Sequence, residues 1–349
     1  MKKILIDLCK LSNLNCGLGQ VALNFGKAIS ETNFKYELHF LVPKEFIGYF
    51  NGHSVIYHTK KDIKKLLSSN MFALWHSIHQ EPDILPQDNT PILLTIHDLN
   101  FLEEKSDKKA KKRLKKLQNI VNKCSDFVFI SEFSKSVAES NLDLKQKKLS
   151  VIYNGVSILN KEKPINNIDS RFFFSIGVFK KKKNFHTLIP VMKNFPGYKL
   201  IIAGDNTGSY AKELVNLTKH EGLTDRIIFL GSIREEEKTW LYRNCEAFLF
   251  PSLYEGFGLP VIEAMRNGVP VITSDKTSLP EIGGGFTFLF DDFNPESMTR
   301  TINNSLKTFN SDPLFKENQI KYANTFQWEK NSKNYLDEYD FLITQYYKA

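Results

Sequence analysis

The sequence predicts an α/β protein built as two doubly wound units in tandem. Three observations carry this. Short β-rich apolar runs alternate with longer stretches of helical period, the pattern of parallel sheets covered by helices. The alternation halts over residues 157–170 and then starts again. The 349 residues, 42% apolar and 25% charged, are enough for two cores.

In chain order, residues 3–8 (KILIDL) read as a strand and Val21–Ser30 as a helix that follows a Gly-bearing loop. Strands are expected at 36–42, 73–77, 91–97, 126–131 and 149–155. Residues 108–123 place Leu114, Leu117, Val121 and Cys124 at helical spacing, with lysines on the other face. Residues 157–170 lack periodicity and read as a linker. Further strands are expected at 172–177, 198–204, 226–231, 247–252, 269–274 and 286–290, with helices between them. In such sheets, ligands bind at the carboxyl ends of the strands.

Charge and cysteine content narrow the function classes. Residues 1–158 carry 23 Lys and Arg against 16 Asp and Glu, a net +7; residues 159–349 carry 24 against 23, a net +1. Much of the excess lies in Lys105–Lys116, which suits an anionic membrane surface, an acidic ligand or a solvated helix face. A nucleic-acid partner is not expected, because no binding module is recognisable and the basic stretch lacks interleaved aromatics. Cys9, Cys16, Cys124 and Cys245 have no CxxC spacing, so reduced, buried thiols and a cytoplasmic location are expected. The start reads as a strand rather than a signal peptide, and no apolar stretch is long enough to span a bilayer.

The segment AFLFPSLYEGFGLPVIEAMRNGVPVITS (247–274) carries the chemistry. A buried strand runs into a loop with Glu255, Gly256, Phe257 and Gly258, and Pro260 suits the first position of a short helix that ends near Asn267-Gly268. Glycines let backbone N–H groups approach a ligand, and a helix N-terminus adds partial positive charge, so the loop suits phosphate. Glu255 beside it suits vicinal hydroxyls, each charge-assisted bond being worth about 1.5–3 kcal/mol. Glu263, expected in the first helical turn, suits a second diol. Two diols flanking a diphosphate describe a nucleotide-sugar.

Residues 255–263 (EGFGLPVIE) resemble the E-x7-E motif of the retaining GT-B glycosyltransferases of family GT4. Tyr153-Asn154-Gly155-Val156, Ala203-Gly204-Asp205, Leu279-Pro280-Glu281 and Phe326-Gln327-Trp328 are similar to other elements of that family. The likeness covers nearly the whole chain and is strongest in the second half. It implies a GT-B fold: two Rossmann-like domains facing each other across a cleft, 1–157 on the acceptor side and 158–329 for the donor. A last helix, 330–349, crosses back to the first domain.

The resemblance also implies roles. Glu255 would hold donor-sugar hydroxyls and Glu263 the ribose, with Gly256, Phe257, Gly258 and Leu259 lining the donor site. Residues 175–184 (SIGVFKKKKN) are similar to a strand followed by G-x5-KN, in which Lys183 neutralises the diphosphate. Val178 departs from the Arg common after that glycine, and Lys182 would supply the second charge. Gly17 and Gly19 match the family's first Gly-rich loop, near donor phosphate and acceptor. His97, in Thr95-Ile96-His97, matches the T-x-H element beside the donor sugar. His76 and His79 are candidates for the acceptor pocket or for the core. Ser131–Ser134 reads as a near-site element or as a helix N-cap.

The resemblance implies retention of anomeric configuration without a metal or other cofactor. A double displacement needs a nucleophilic carboxylate about 5 Å from its partner acid, and the first half offers none; same-face attack is therefore expected. GFGLP with TIHDL is similar to members that use GDP-mannose in polysaccharide or lipopolysaccharide assembly, while UDP-sugars and GDP-fucose remain open. A saccharide or lipid-linked saccharide is the expected acceptor. The alternatives are a nucleotide-sugar 2-epimerase on the same scaffold and a non-catalytic binding module. A dinucleotide oxidoreductase is disfavoured because residues 16–20 (CGLGQ) are not GxGxxG.

Overall fold

The structure, a computed structural model, describes residues 1–14, 16–33, 35–50, 55–144, 146–157, 161–166, 168 and 170–348. The chain divides into two compact units, Met1–Ser157 with Phe326–Ala349, and Ile158–Thr325.

In the first unit the described residues form a sheet of seven strands: β1 (Lys3–Asp7), β2 (Glu37–Leu41), β3 (Val55–His58), β4 (Leu74–Ser77), β5 (Ile92–Ile96), β6 (Asp126–Phe129) and β7 (Leu149–Val151). The order is β3-β2-β1-β4-β5-β6-β7 and every pair is parallel. The central strands are buried on both faces and so read as continuous apolar runs. The winding direction reverses between β1 and β4, which opens a crevice at their carboxyl ends.

The second unit repeats this plan with β8 (Phe172–Ile176), β9 (Lys199–Ala203), β10 (Ile227–Gly231), β11 (Ala247–Phe250), β12 (Val271–Ser274) and β13 (Phe288–Phe290). Its order, β10-β9-β8-β11-β12-β13, is also parallel and reverses between β8 and β11. Phe173, Leu200, Ile202, Leu249 and Ile272 form the centre of its core.

Every strand read from the sequence is present, each with trimmed ends. β3 is the addition: it is a half-buried edge strand of four residues that lacks a strong apolar run. Of the expected linker, residues 158–160, 167 and 169 lie outside the described residues, and 161–166 contain no helix or strand. The basic helix spans Asp107–Val121, with Leu117, Val121 and Cys124 buried and Leu114 half-buried. The last helix, Trp328–Lys348, belongs to the first unit and packs on the helix Gly17–Glu31. A Cβ on Gly155 would lie 2.5 Å from the Trp328 backbone nitrogen, so this junction admits only glycine. The cysteines are free thiols; Cys9, Cys124 and Cys245 are buried as expected, but Cys16 is half-exposed because it precedes a helix at the surface.

Gly204, just past β9, has φ +130°, and a Cβ there would stand 2.1 Å from the Gly177 carbonyl oxygen. Backbone meets backbone, so nothing can yield. Gly204→Ala should destabilise the second unit by about 2 kcal/mol or more, read as a fall in denaturation midpoint; Gly197→Ala, which meets nothing within 4 Å, should leave it unchanged.

Candidate functional site

In the second unit the reversal point collects the residues singled out at 182–183 and 255–263. After β8 the chain passes Gly177 and a short turn, Lys181–Lys183, which ends on Asn184 in the left-handed region (φ +58°). After β11 it runs through 251–258 into the helix Leu259–Arg266. The two segments are tied through backbone: Leu253 N–H donates to the Lys182 carbonyl at 2.7 Å. The Lys183 ammonium then donates to Glu255 Oε1 at 2.5 Å, with the two side chains 12% and 14% exposed. Ser252 Oγ donates to the same oxygen at 2.7 Å. Lys183 also sits 4.8 Å over the Phe250 ring, and its stem fills the space over Gly177, where a Cβ would come within 2.9 Å of it.

The loop is braced from behind. Thr277 Oγ1 accepts the Glu255 N–H at 3.1 Å, and Ser278 Oγ lies 2.9 Å from the Phe257 carbonyl oxygen. Thr277 is β-branched with φ +56°, an uncommon backbone state that its hydrogen bonds maintain. Gly256, Phe257 and Gly258 are buried and Leu259 is half-buried. Gly258 has φ +110°, and a Cβ there would press on Leu279 at 2.8 Å. Leu259 is the first helical residue and Pro260 the second, a position that also needs no N–H donor.

Glu263 is the fifth residue of the helix, one position further in than a start at Pro260 would give, since the helix starts at Leu259. Its carboxylate accepts from Lys238 at 2.9 Å and from Tyr242 OH at 2.9 Å, both on the helix Glu235–Asn244. Burial draws the Lys238 ammonium down in pKa, but Glu263 and Glu235 outweigh it and hold the group above its ordinary value. Burial, with the Glu263 charge second, raises Tyr242. A hollow of about 340 Å³ lined by Phe179, Asn206, Val215 and Phe229 shares none of these residues.

In the first unit the expected Gly-rich loop is already helix. Gly17 opens the helix Gly17–Glu31, and Gly19 lies in its first turn because a Cβ there would fall 1.9 Å from the Asn13 carbonyl oxygen. Gly17 meets nothing within 4 Å. Asn15 lies outside the described residues. His97, 4% exposed, follows β5; its Nε2 donates to the Ile78 carbonyl at 2.7 Å, its N–H reaches Gln80 Oε1 at 3.1 Å, and its carbonyl accepts from Ser134 Oγ at 2.7 Å. Burial lowers its pKa, which favours the neutral ring. Ser131 is the N-cap of the helix Glu132–Asn141, its Oγ accepting the Ser134 N–H at 3.0 Å.

His76 is a core residue rather than a pocket residue. Both ring nitrogens are engaged, by Tyr339 OH at 2.6 Å and Thr95 Oγ1 at 2.9 Å, and burial lowers its pKa to about 3. His79 is 3% exposed beside Asp7. Sequence reasoning missed Ser252, Thr277, Ser278, Lys238 and Tyr242. The Thr-Ser pair before Leu279-Pro280 was the available signal for two of them; Lys238 and Tyr242 are spaced i, i+4 on one helix face but carry no local mark of their target.

Two doubly wound units, each with its own reversal point, define a fold of the GT-B type. The profile of the family Glycosyl transferases group 1 matches residues 158–333, and that of Glycosyltransferase Family 4 matches residues 19–158. The chain belongs to this family. Among its relatives, the O-antigen chain mannosyltransferase B of Escherichia coli is 31% identical over 48% of this chain and 45% of that protein. The Escherichia coli O-antigen biosynthesis glycosyltransferase WclY is 26% identical over 96% of this chain and 97% of that protein. The matched stretches span about half or less of the mannosyltransferases among these relatives. The Anabaena protein HepE, solved with UDP-glucose, shares the fold at a TM-score of 0.76 and 18% identity, over 97% of this chain and 99% of that one.

Breaking a largely buried ion pair strands the surviving charge. Lys183→Met and Glu255→Gln should each lower stability by about 1–3 kcal/mol, and the double variant should lose less than the sum of the two. Denaturant titration of the four proteins measures that coupling; additive losses would show that the pair does not interact in solution.

Proposed function

We propose that the chain is a retaining mannosyltransferase that moves mannose from GDP-mannose to a saccharide or lipid-linked saccharide in surface polysaccharide or lipopolysaccharide assembly. The observation that carries the reading is the Lys183–Glu255 pair beside the glycine-lined turn at the start of the helix Leu259–Arg266. Without a ligand the two charges satisfy each other. A diphosphate competes for Lys183 and, with Lys182 and the N-terminus of the helix Leu259–Arg266, gathers positive charge around itself. The Glu255 carboxylate, released from Lys183, accepts hydrogen bonds from sugar hydroxyls. Glu263, already receiving Lys238 and Tyr242 on its two oxygens, has lone pairs left for the ribose diol. The lean towards mannose rests on the O-antigen mannosyltransferase relatives.

In the reaction the anomeric C–O bond breaks and its electron pair leaves with the diphosphate. Lys183 and the helix N-terminus stabilise that growing charge. The acceptor oxygen attacks from the same face, and its proton passes to the leaving phosphate oxygen. No metal and no covalent glycosyl-enzyme enters this scheme. Gly17 and Gly19 open the first unit's helix Gly17–Glu31, and neutral His97, with Nε2 on the Ile78 carbonyl, keeps Nδ1 to accept a hydrogen bond from a sugar hydroxyl. The exposed lysines 108, 109, 111, 112, 115 and 116, on one helix, would hold the protein on an anionic inner-leaflet surface. No helix among the described residues is long and apolar enough to cross a membrane.

Glu255→Gln and Lys183→Ala should each cut turnover at least about 100-fold, the scale of losing one charge-stabilising donor, with GDP-mannose giving the largest thermal shift in a nucleotide-sugar panel. Normal turnover in either variant, or no shift with any nucleotide-sugar, would defeat the assignment. Sedimentation with phosphatidylglycerol vesicles should retain the protein at low salt and release it as salt rises; retention unchanged at high salt would remove the membrane reading.

A further inference from the structure

One buried polar cluster lies at the edge of the first unit's sheet, outside the residues of the proposed function. His39 is in β2, and His58 ends the edge strand β3. His39 is in register with Ile56 and Leu41 with His58, so the two rings project from one face of the sheet as diagonal neighbours. His39 is fully buried and His58 is 9% exposed. The Phe72 ring stands edgewise to both, its centroid 5.2 Å from one and 6.2 Å from the other.

The cluster is a chain of three groups. His39 Nε2 lies 2.8 Å from Glu37 Oε1, and His39 Nδ1 lies 2.8 Å from His58 Nε2. A carboxylate only accepts, so His39 Nε2 carries a proton. A neutral ring has one N–H, so His39 Nδ1 accepts and His58 Nε2 donates.

The same geometry limits how many protons the chain can hold. One added proton fits. It enters at His58 Nδ1, and the bond between the rings survives whichever ring carries the charge. A second does not fit. His39 Nδ1 and His58 Nε2 would then both bear hydrogen across 2.8 Å, and two cations would face each other in nearly parallel rings centred 5.1 Å apart.

Burial lowers both rings in pKa. Glu37 on His39 and Asp62 on His58 act against it, while Lys3 of β1, 3.6 Å from Glu37, adds to it at His39. Asp62 is itself held by the Thr59 N–H and hydroxyl. The unfolded chain therefore takes up protons first. The resulting stability is complete above the ordinary histidine pKa of about 6.5 and is lost as pH falls below it.

We propose that Glu37, His39 and His58 form an acid-sensitive clasp. It fastens β3 to β2 while the chain holds at most one added proton. It lets β3 go when a second enters, which bares the edge of β2. The proposal stands apart from the glycosyltransferase reading.

The test uses the full chain. Nitrogen NMR of the labelled histidine rings should find the His39 proton on Nε2 in the neutral pair. The pair should take its two protons in well-separated steps between about pH 8 and about pH 4.5. Hydrogen exchange, corrected for the intrinsic rate, should show β3 losing at least about tenfold more protection than β6 over that span. His58→Gln keeps a donor for His39 Nδ1 and removes the second titrating ring, so its β3 should lose no more protection than its β6. Independent single-step titration of the two rings, equal loss of protection in wild-type β3 and β6, or an unchanged acid response in His58→Gln would overturn the proposal. Should that variant not fold, the ring titration and exchange of wild type decide the matter.

Discussion

The second unit is organised around one contact, the ammonium of Lys183 on the carboxylate of Glu255. Two charges with 12% and 14% of their side chains exposed have lost most of their hydration, and their mutual attraction only partly repays that. Such a pair is a poor device for stability alone. Its surroundings are arranged to keep it: Gly177 yields space to the lysine stem, Gly204 lets Gly177 come close, and Thr277 accepts a left-handed backbone to hold Glu255 in place. Strain and glycine are concentrated around this one ion pair, at the start of the helix Leu259–Arg266.

Much of the fold could be read from the chain because parallel strands buried on both faces declare themselves as apolar runs. β3 did not, since an edge strand with only one residue fully buried has no reason to be apolar throughout. The start of the first long helix was misplaced for a related reason. Glycines suggest a loop, yet Gly19 is there because the backbone at Asn13 presses on the helix, a long-range fact with no local signature. Glu255, Gly258 and Lys183 could be found because they are close in sequence to the strand ends that position them. Ser252, Thr277 and Ser278 brace the loop through hydroxyls that look like any others in a sequence.

The histidines show the same limit. His76, His79 and His97 follow one another along adjacent strands and are indistinguishable by type. Coordinates separate them by what each nitrogen already holds. His76 has spent both on Tyr339 and Thr95, whereas His97 has one engaged at Ile78. How many nitrogens a histidine keeps uncommitted depends on residues up to 263 positions away.

A crystal structure of the chain with an intact nucleotide-sugar bound tests the central claim most directly. The account predicts that the Lys183 ammonium has left Glu255 for the diphosphate and that the Glu255 carboxylate accepts from two hydroxyls of the sugar. A bound nucleotide-sugar that leaves this ion pair closed, or that lodges away from the turn at 255–259, would contradict it.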